Sequence, residues 1–183
     1  MLASSTTSPR SPAALAALAV ALGGLATILG AWFFQLVVGL PPCPLCLEQR
    51  IPYYIAIPLA GLVVAAAMRR GPRALIIGGL ALLAVIMLVS AGLAAYHAGI
   101  EWKWWVGPQD CSGPVTPSAT PSDLLQQLGQ TRVVRCDEAA WRFLGLSLAG
   151  WNVLISLALA GIAAWGAATA ARAKGYGSSS VSQ

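Results

Sequence analysis

Apolar residues form four long, nearly uncharged blocks along the chain, and shorter polar segments separate them. From these blocks we predict transmembrane helices at about residues 13–38, 46–68, 74–96 and 148–171. A helix needs about 20 successive apolar residues to cross the hydrocarbon core of a bilayer, and each block is close to that length. The pattern therefore predicts an all-α membrane protein that consists of a four-transmembrane-helix bundle.

The segments outside the blocks differ in length and composition. We predict loops at about residues 39–50 and 97–147, and the second is long enough to hold structure outside the membrane. Residues 1–11 and 172–183 are rich in small and polar side chains, which predicts disordered tails. The transmembrane domain then comprises residues 12–171.

Composition and charge support this interpretation and orient the chain. Hydrophobic residues make up 57% of the sequence and charged residues only 9%, whereas soluble domains carry about a quarter charged residues. Basic residues without acidic neighbours occur on one face, at Arg10, Arg69, Arg70, Arg73, Arg172 and Lys174. The positive-inside rule makes this face cytoplasmic, with both termini, and makes the two predicted loops periplasmic. No basic stripe with interleaved aromatic residues indicates nucleic-acid binding.

Four cysteines supply the candidate chemistry, and all of them fall in the two predicted periplasmic loops. Cys43 and Cys46 form a CxxC motif in the first loop, while Cys111 and Cys136 lie in the second. Two thiols at CxxC spacing can form a disulfide reversibly, and this spacing often lowers the pKa of one thiol. Pro44 suits the first turn of a helix, so both thiols would lie near the positive end of a helix dipole. We therefore predict that the CxxC is redox-active.

Other roles for the cysteines remain open on spacing alone. Four cysteines allow three pairings, and a bridge between Cys111 and Cys136 would also suit a structural loop staple. A zinc site built from all four cysteines is disfavoured because the second pair lacks CxxC spacing, so we predict no metal. A non-enzymatic protein with structural disulfides, or a channel or carrier subunit, is a further alternative. Against the carrier, the apolar blocks contain no ionisable residue of the kind that marks transport sites.

Three further residues, near the CxxC or at the end of the third block, lead to separate predictions. Arg50 follows Cys46 by four positions and would share its helix face, so its guanidinium is expected to favour a thiolate at Cys46. Pro52 predicts a kink near the start of the second helix. His97 lies where the third block meets the outer surface. An interfacial position is the simpler interpretation of His97, and contact with a ligand at that surface is the other.

These motifs resemble the DsbB family of membrane thiol oxidases. The stretch from Cys43 to Cys46, followed by Glu48-Gln49-Arg50, is similar to the CxxC element of that family with its trailing arginine. The segment from Cys136 to Trp151 is similar to the stretch that leads from the second cysteine pair into the last helix. The resemblance extends over about residues 13 to 170 and includes the helix count, the topology and the division of the cysteines between two outer loops.

The resemblance implies a thiol:quinone disulfide oxidoreductase of the bacterial inner membrane that sustains disulfide bond formation. Members of the family take electrons from a reduced periplasmic thioredoxin-fold oxidase, DsbA, and pass them to a membrane quinone, ubiquinone or menaquinone. The ligand contact considered for His97 would then be to the quinone. A vitamin-K-epoxide-reductase-like quinone reductase is an alternative, but its CxxC is expected on a later helix.

The resemblance also assigns roles by motif position. Cys111 and Cys136 would form the pair that oxidises the partner protein through a mixed disulfide. Cys43 and Cys46 would form the pair that reduces the quinone. Arg50 would lie beside the quinone ring.

Overall fold

The computed structural model describes residues 11–108 and 135–172. These residues form five helices and one hairpin: α1 (Pro12–Leu36), α2 (Pro44–Glu48), α3 (Ile51–Met68), α4 (Arg73–Glu101), β1 (Arg142–Phe143), β2 (Leu146–Ser147) and α5 (Leu148–Arg172). The predicted disordered tails lie almost entirely outside the described residues, as does most of the predicted second loop.

Four helical stretches are long and apolar enough to cross a membrane: Pro12–Leu36, Pro44–Met68, Arg73–Glu101 and Leu148–Arg172. Helix α1 packs against α3 and α5, and α4 packs against the same two helices. Helices α1 and α4 therefore lie at opposite corners of a four-helix bundle. This arrangement confirms the predicted fold class of a multi-pass, all-α membrane protein.

The bundle buries small side chains and leaves large apolar ones on its outer surface. Four alanines in the helix contacts have no exposed surface: Ala17, Ala60, Ala94 and Ala163. Leu62, by contrast, is 68% exposed, and many other leucines on the same surface are more than half exposed. Small interior residues allow helix backbones to approach closely, and a large exposed apolar surface suits contact with lipid rather than water.

The second transmembrane stretch is divided into α2 and α3 by a turn at Gln49 and Arg50. Proline has no N–H to donate to the carbonyl four residues earlier. The backbone carbonyl of Glu48 therefore receives no helical hydrogen bond from position 52. The predicted kink near Pro52 is thus confirmed as a break in the helix. The break makes α2 a separate five-residue helix that carries the CxxC.

The third transmembrane helix was predicted to end at residue 96, whereas α4 continues to Glu101. His97 and Glu101 are only 3% and 8% exposed, so His97 lies in the interior of the protein rather than on its surface. The apolar pattern stops at Tyr96, but the helix continues because Cys136 and Ser147 contact these two polar side chains. A transmembrane helix therefore contains buried ionisable residues that the apolar blocks did not show.

The predicted second loop also contains a hairpin. Strands β1 and β2 pair antiparallel, with Arg142 opposite Ser147 and Phe143 opposite Leu146. Leu144 and Gly145 connect them with φ values of 53° and 82°. Positive φ at both central residues is characteristic of a type I′ turn, whose twist matches that of the two strands. The hairpin leads directly into α5.

We expect Gly79→Ala to destabilise the bundle. A Cβ atom at Gly79 would lie 2.5 Å from Cγ2 of Val63, a buried and β-branched side chain, so α3 and α4 would have to separate. Overpacking of this kind costs about 1–3 kcal/mol, and it should lower the midpoint of thermal unfolding in detergent. Gly78→Ala is the matched control, because a Cβ atom there meets nothing within 4 Å. Equal stability of the two variants would contradict this packing.

Candidate active site

The CxxC occupies the N-terminus of α2. Cys43 is the N-cap residue, and Pro44 follows in the first turn, as the sequence predicted. The Cys43 Sγ atom accepts a hydrogen bond from the backbone N–H of Cys46 at 3.2 Å. The two Sγ atoms lie 2.7 Å apart, and both thiols are free. The pair is therefore placed for reversible formation of a disulfide.

Hydrogen-bond donors converge on Cys43, which is 3% exposed. The Nε2 atom of His97 lies 3.7 Å from Cys43 Sγ. The hydrogen bond from the Cys46 thiol, opposed by burial and assisted by His97, lowers the pKa of the Cys43 thiol to about 5. We had expected Arg50 to favour a thiolate at Cys46, but the guanidinium donates to Oε1 of Gln35 at 2.7 Å.

A cavity of about 640 Å³ lies beside the CxxC. Its wall includes Cys46, Gln49, Arg50 and His97, and the rest of the lining is largely apolar and aromatic. Cavities that bind small molecules usually measure about 300–1,000 Å³ and combine an apolar wall with a few polar groups. The cavity therefore brings together both residues that the sequence predicted to bind a ligand, Arg50 and His97, with one sulfur of the CxxC.

Aromatic side chains form part of the cavity wall. The ring of Trp141 lies 5.0 Å from that of Phe34 and stacks on Phe143 at 5.7 Å, measured between ring centroids. The indole N–H of Trp151 donates to the backbone carbonyl of Phe143 at 3.0 Å. The hairpin thus holds two aromatic rings against α1 and α5, at the same end of the bundle as the CxxC.

A chain of buried and half-buried polar side chains extends from His97 into the bundle, and the apolar pattern of the sequence did not predict it. Gln49 Nε2 lies 2.7 Å from His97 Nδ1, and Gln49 Oε1 accepts a hydrogen bond from Asn152 Nδ2 at 2.8 Å. The Tyr53 hydroxyl donates to Asn152 Oδ1 at 2.7 Å and contacts Ser156 Oγ at 2.8 Å. Polar residues inside apolar blocks were the available signal, since Asn152 and Ser156 lie four positions apart on one face of α5.

Glu101 adds a buried carboxyl group to the site. Its Oε1 atom lies 3.8 Å from His97 Nε2. Its Oε2 atom is buried and has no hydrogen-bond partner among the residues that the structure describes. A buried carboxyl group next to the imidazole can hold a proton or a charge close to the CxxC.

Cys136 lies against the CxxC. It has no exposed surface, is disulfide-bonded, and packs with Cys43, Leu45 and Ile100. Its backbone also forms a hydrogen bond with the ring of His97. Cys111 lies outside the described residues, so the pairing of Cys111 with Cys136 remains a prediction. The structure brings three of the four predicted redox cysteines into one cluster.

Ion pairs hold the segment around Cys136 at the end of α4. Lys103 Nζ contacts Asp137 Oδ2 at 2.6 Å and its backbone carbonyl at 2.9 Å, and Arg135 Nη2 contacts Asp137 Oδ2 at 2.9 Å. The hydrogen bonds from Arg135 and Lys103 hold the pKa of the Asp137 carboxyl well below its usual range. Lys103 thus links the segment to the end of α4, while Arg135 pairs with Asp137 inside the segment.

The profile of the family described as "Disulfide bond formation protein DsbB" matches residues 13–166 of this chain. The chain belongs to the DsbB family. Among its relatives, the "Disulfide bond formation protein B" of Albidiferax ferrireducens is 33% identical over 156 residues, which is 76% of this chain and 83% of the relative. The protein of the same name from Saccharophagus degradans is 32% identical over 158 residues, or 81% and 89% of the two chains. No solved structure is significantly similar to this DsbB-family chain.

Membership confirms the resemblance found in the sequence. The protein is a member of a membrane-bound family of disulfide bond formation proteins, which implies disulfide oxidoreductase activity. The cluster of Cys43, Cys46 and Cys136 lies within the matched residues.

We expect a DsbB-family chain with this geometry to keep a thiolate at Cys43 well below neutral pH. In a reduced Cys111→Ser/Cys136→Ser protein, thiolate absorbance at 240 nm should persist above pH 5 and be lost below it. In His97→Leu, the midpoint should move up towards the ordinary thiol value of about 8.5, because one donor to the sulfur is removed. Cys43→Ser serves as the control and should lack the low-pH step. A midpoint near the ordinary value in the protein with His97 intact would contradict the assignment.

Proposed function

We propose that this protein transfers electrons from a reduced thioredoxin-fold protein of the DsbA type to a membrane quinone. The main support for the proposal is that the CxxC lies between an apolar cavity and the buried cluster that contains Cys136. Cys46 is part of the wall of a largely apolar cavity, whereas Cys43 belongs to the same buried cluster as Cys136. A relay needs this arrangement, because one pair of sulfurs must exchange electrons with another pair and with an apolar acceptor.

The cavity suits a quinone in size and chemistry. A quinone supplies a flat, apolar acceptor of two electrons and two protons. The aromatic rings of Trp141 and Phe143 offer flat surfaces, and Arg50 offers N–H donors to an oxygen atom. An Arg near an oxygen that gains negative charge stabilises that charge. The contact between Arg50 and Gln35 would orient the guanidinium along the cavity wall.

The partner is proposed to react first with the Cys111–Cys136 pair. A thiolate of the partner attacks this disulfide and forms a mixed disulfide, and the second thiol of the partner then releases it oxidised. Cys111 and Cys136 are left as thiols and carry the two electrons. We infer attack at Cys111, because Cys136 is fully buried beneath the site.

The electrons are then proposed to reach the CxxC by thiol–disulfide exchange. Because Cys136 and Cys43 belong to one buried cluster, we propose that the Cys136 thiolate attacks Cys43 and releases the Cys46 thiolate toward the cavity. Cys111 then attacks Cys136, which restores that disulfide and leaves Cys43 and Cys46 reduced. Oxidation of this dithiol re-forms the Cys43–Cys46 bond, and its two electrons and two protons convert quinone to quinol.

The first experiment is quinone reduction by the detergent-purified protein supplied with a reduced thioredoxin-fold partner. We expect turnover in the unaltered chain and none in Cys43→Ser, because the CxxC disulfide can no longer form. Glu48→Gln, an exposed change within the same motif, should retain turnover. The proposal would be rejected if several partners and both ubiquinone and menaquinone analogues gave no reduction.

Arg50→Ala should separate the two halves of the relay. Loss of a group that stabilises developing charge typically slows a step by about 100-fold or more, so quinone reduction should fall by that order. Oxidation of the partner in a single turnover should be unchanged, because Arg50 is not in the cluster around Cys136. Arg50→Lys, which keeps the positive charge, should retain part of the quinone rate. Equal losses in both steps would show that Arg50 acts on the fold rather than on the quinone.

A further inference from the structure

Besides the hydrogen bond between its ring and the backbone of Cys136, His97 has side-chain groups of opposite kinds at its two nitrogens. Nδ1 lies 2.7 Å from Gln49 Nε2, and an amide nitrogen can only donate. Nε2 lies 3.7 Å from Cys43 Sγ and 3.8 Å from Glu101 Oε1, which both accept when ionised. The neutral ring should therefore carry its proton on Nε2 and leave Nδ1 as an acceptor.

The orientation of the Gln49 amide is fixed independently of His97. The same Nε2 atom donates to the backbone carbonyl of Leu45 at 3.3 Å, and a carbonyl oxygen can only accept. The Gln49 oxygen receives the hydrogen bond from Asn152 Nδ2 at 2.8 Å. Turning the amide over would place two oxygens opposite each other at Leu45 and two nitrogens opposite each other at Asn152. The amide group therefore presents a donor to His97 Nδ1.

The same residues would otherwise make a metal site. The sulfurs of Cys43 and Cys46 and a ring nitrogen of His97 all lie within 4.8 Å of one another, and Cys and His are the ligands that zinc prefers. A histidine that binds a metal through one nitrogen almost always donates the N–H of the other nitrogen to a carboxylate, carbonyl or water. At Nδ1 of His97, Gln49 offers a donor where a metal site needs an acceptor.

We propose that Gln49 is a positioning residue that holds His97 in the Nε2–H form. In this form the imidazole donates to Cys43 and is kept from binding a metal ion together with the two thiols. Gln49 thereby keeps the two thiols of the reduced CxxC available for thiol–disulfide exchange rather than for metal binding. The inference depends on hydrogen bonds within the chain alone, so failure of the quinone assay would not affect it.

The first test uses the fact that His97 is the single histidine of the sequence. Protein labelled with ¹⁵N in the imidazole ring gives one pair of nitrogen resonances, whose positions report which nitrogen is protonated. At pH 8, in a reduced Cys111→Ser/Cys136→Ser background, we expect an unprotonated Nδ1 and a protonated Nε2. In Gln49→Glu the carboxylate accepts from Nδ1, so the Nδ1 resonance should move to the protonated region. A protonated Nδ1 in the protein with Gln49 intact would overturn the proposal.

The second test titrates zinc alone into the same reduced proteins. Partners that orient a metal-binding histidine are typically worth 10–100-fold in metal affinity, so Gln49→Glu should bind zinc about 10- to 100-fold more tightly than the protein with Gln49. Gln35→Glu is the matched control, because it makes the same change on the cavity wall at a residue that contacts Arg50. It should alter neither the ring resonances nor the zinc affinity. Equal zinc affinity with Gln49 and with Glu at this position would overturn the proposal.

Discussion

Two prolines set the ends of a five-residue helix, and the geometry of the site depends on that helix. Pro44 fixes its start and makes Cys43 the N-cap, so that the sulfur of Cys43 accepts the backbone N–H of Cys46. Pro52 ends it by removing a donor, so that the chain turns at Gln49 and Arg50 before α3 begins. A continuous helix would place side chains four positions apart on one face. At this turn Gln49 contacts His97 and Arg50 contacts Gln35, and both Gln49 and Arg50 line the cavity.

The interior of the bundle explains how polar residues are tolerated inside a membrane. Buried polar groups are costly unless they are hydrogen-bonded, and the side chains of this polar chain have partners on neighbouring helices. The chain from Ser90 through Ser156, Tyr53, Asn152 and Gln49 connects α4, α5, α3 and the turn after α2. The alanine-rich contacts bring these helices close enough for short side chains to meet. The packing of small residues and the polar chain are thus parts of the same arrangement.

The sequence predicted the parts of the structure that depend on local pattern. Four apolar blocks predicted four transmembrane helices, and the CxxC with Pro44 predicted a helix start with both thiols near it. The end of α4 was predicted wrongly, because His97 and Glu101 are polar and their burial depends on segments near Cys136 and Ser147. The contacts of Gln49 could not be predicted either, since its partners His97 and Asn152 lie 48 and 103 positions away. Such contacts follow from the packing of the bundle and leave no periodic signal in the chain.

The ion pairs around Asp137 differ from the polar chain in their exposure to water. Lys103 and Arg135 are exposed to water and Asp137 is partly exposed, and the attraction between such charges weakens as dissolved salt screens them. The polar chain inside the bundle is sheltered from that screening. The ionic strength of the aqueous phase therefore acts on the ion pairs beside Cys136 and much less on the hydrogen bonds inside the bundle. The ion pair between Lys103 and Asp137 that links the Cys136 segment to α4 is thus sensitive to the aqueous medium, while the hydrogen bonds around the CxxC are set by the packing of the fold.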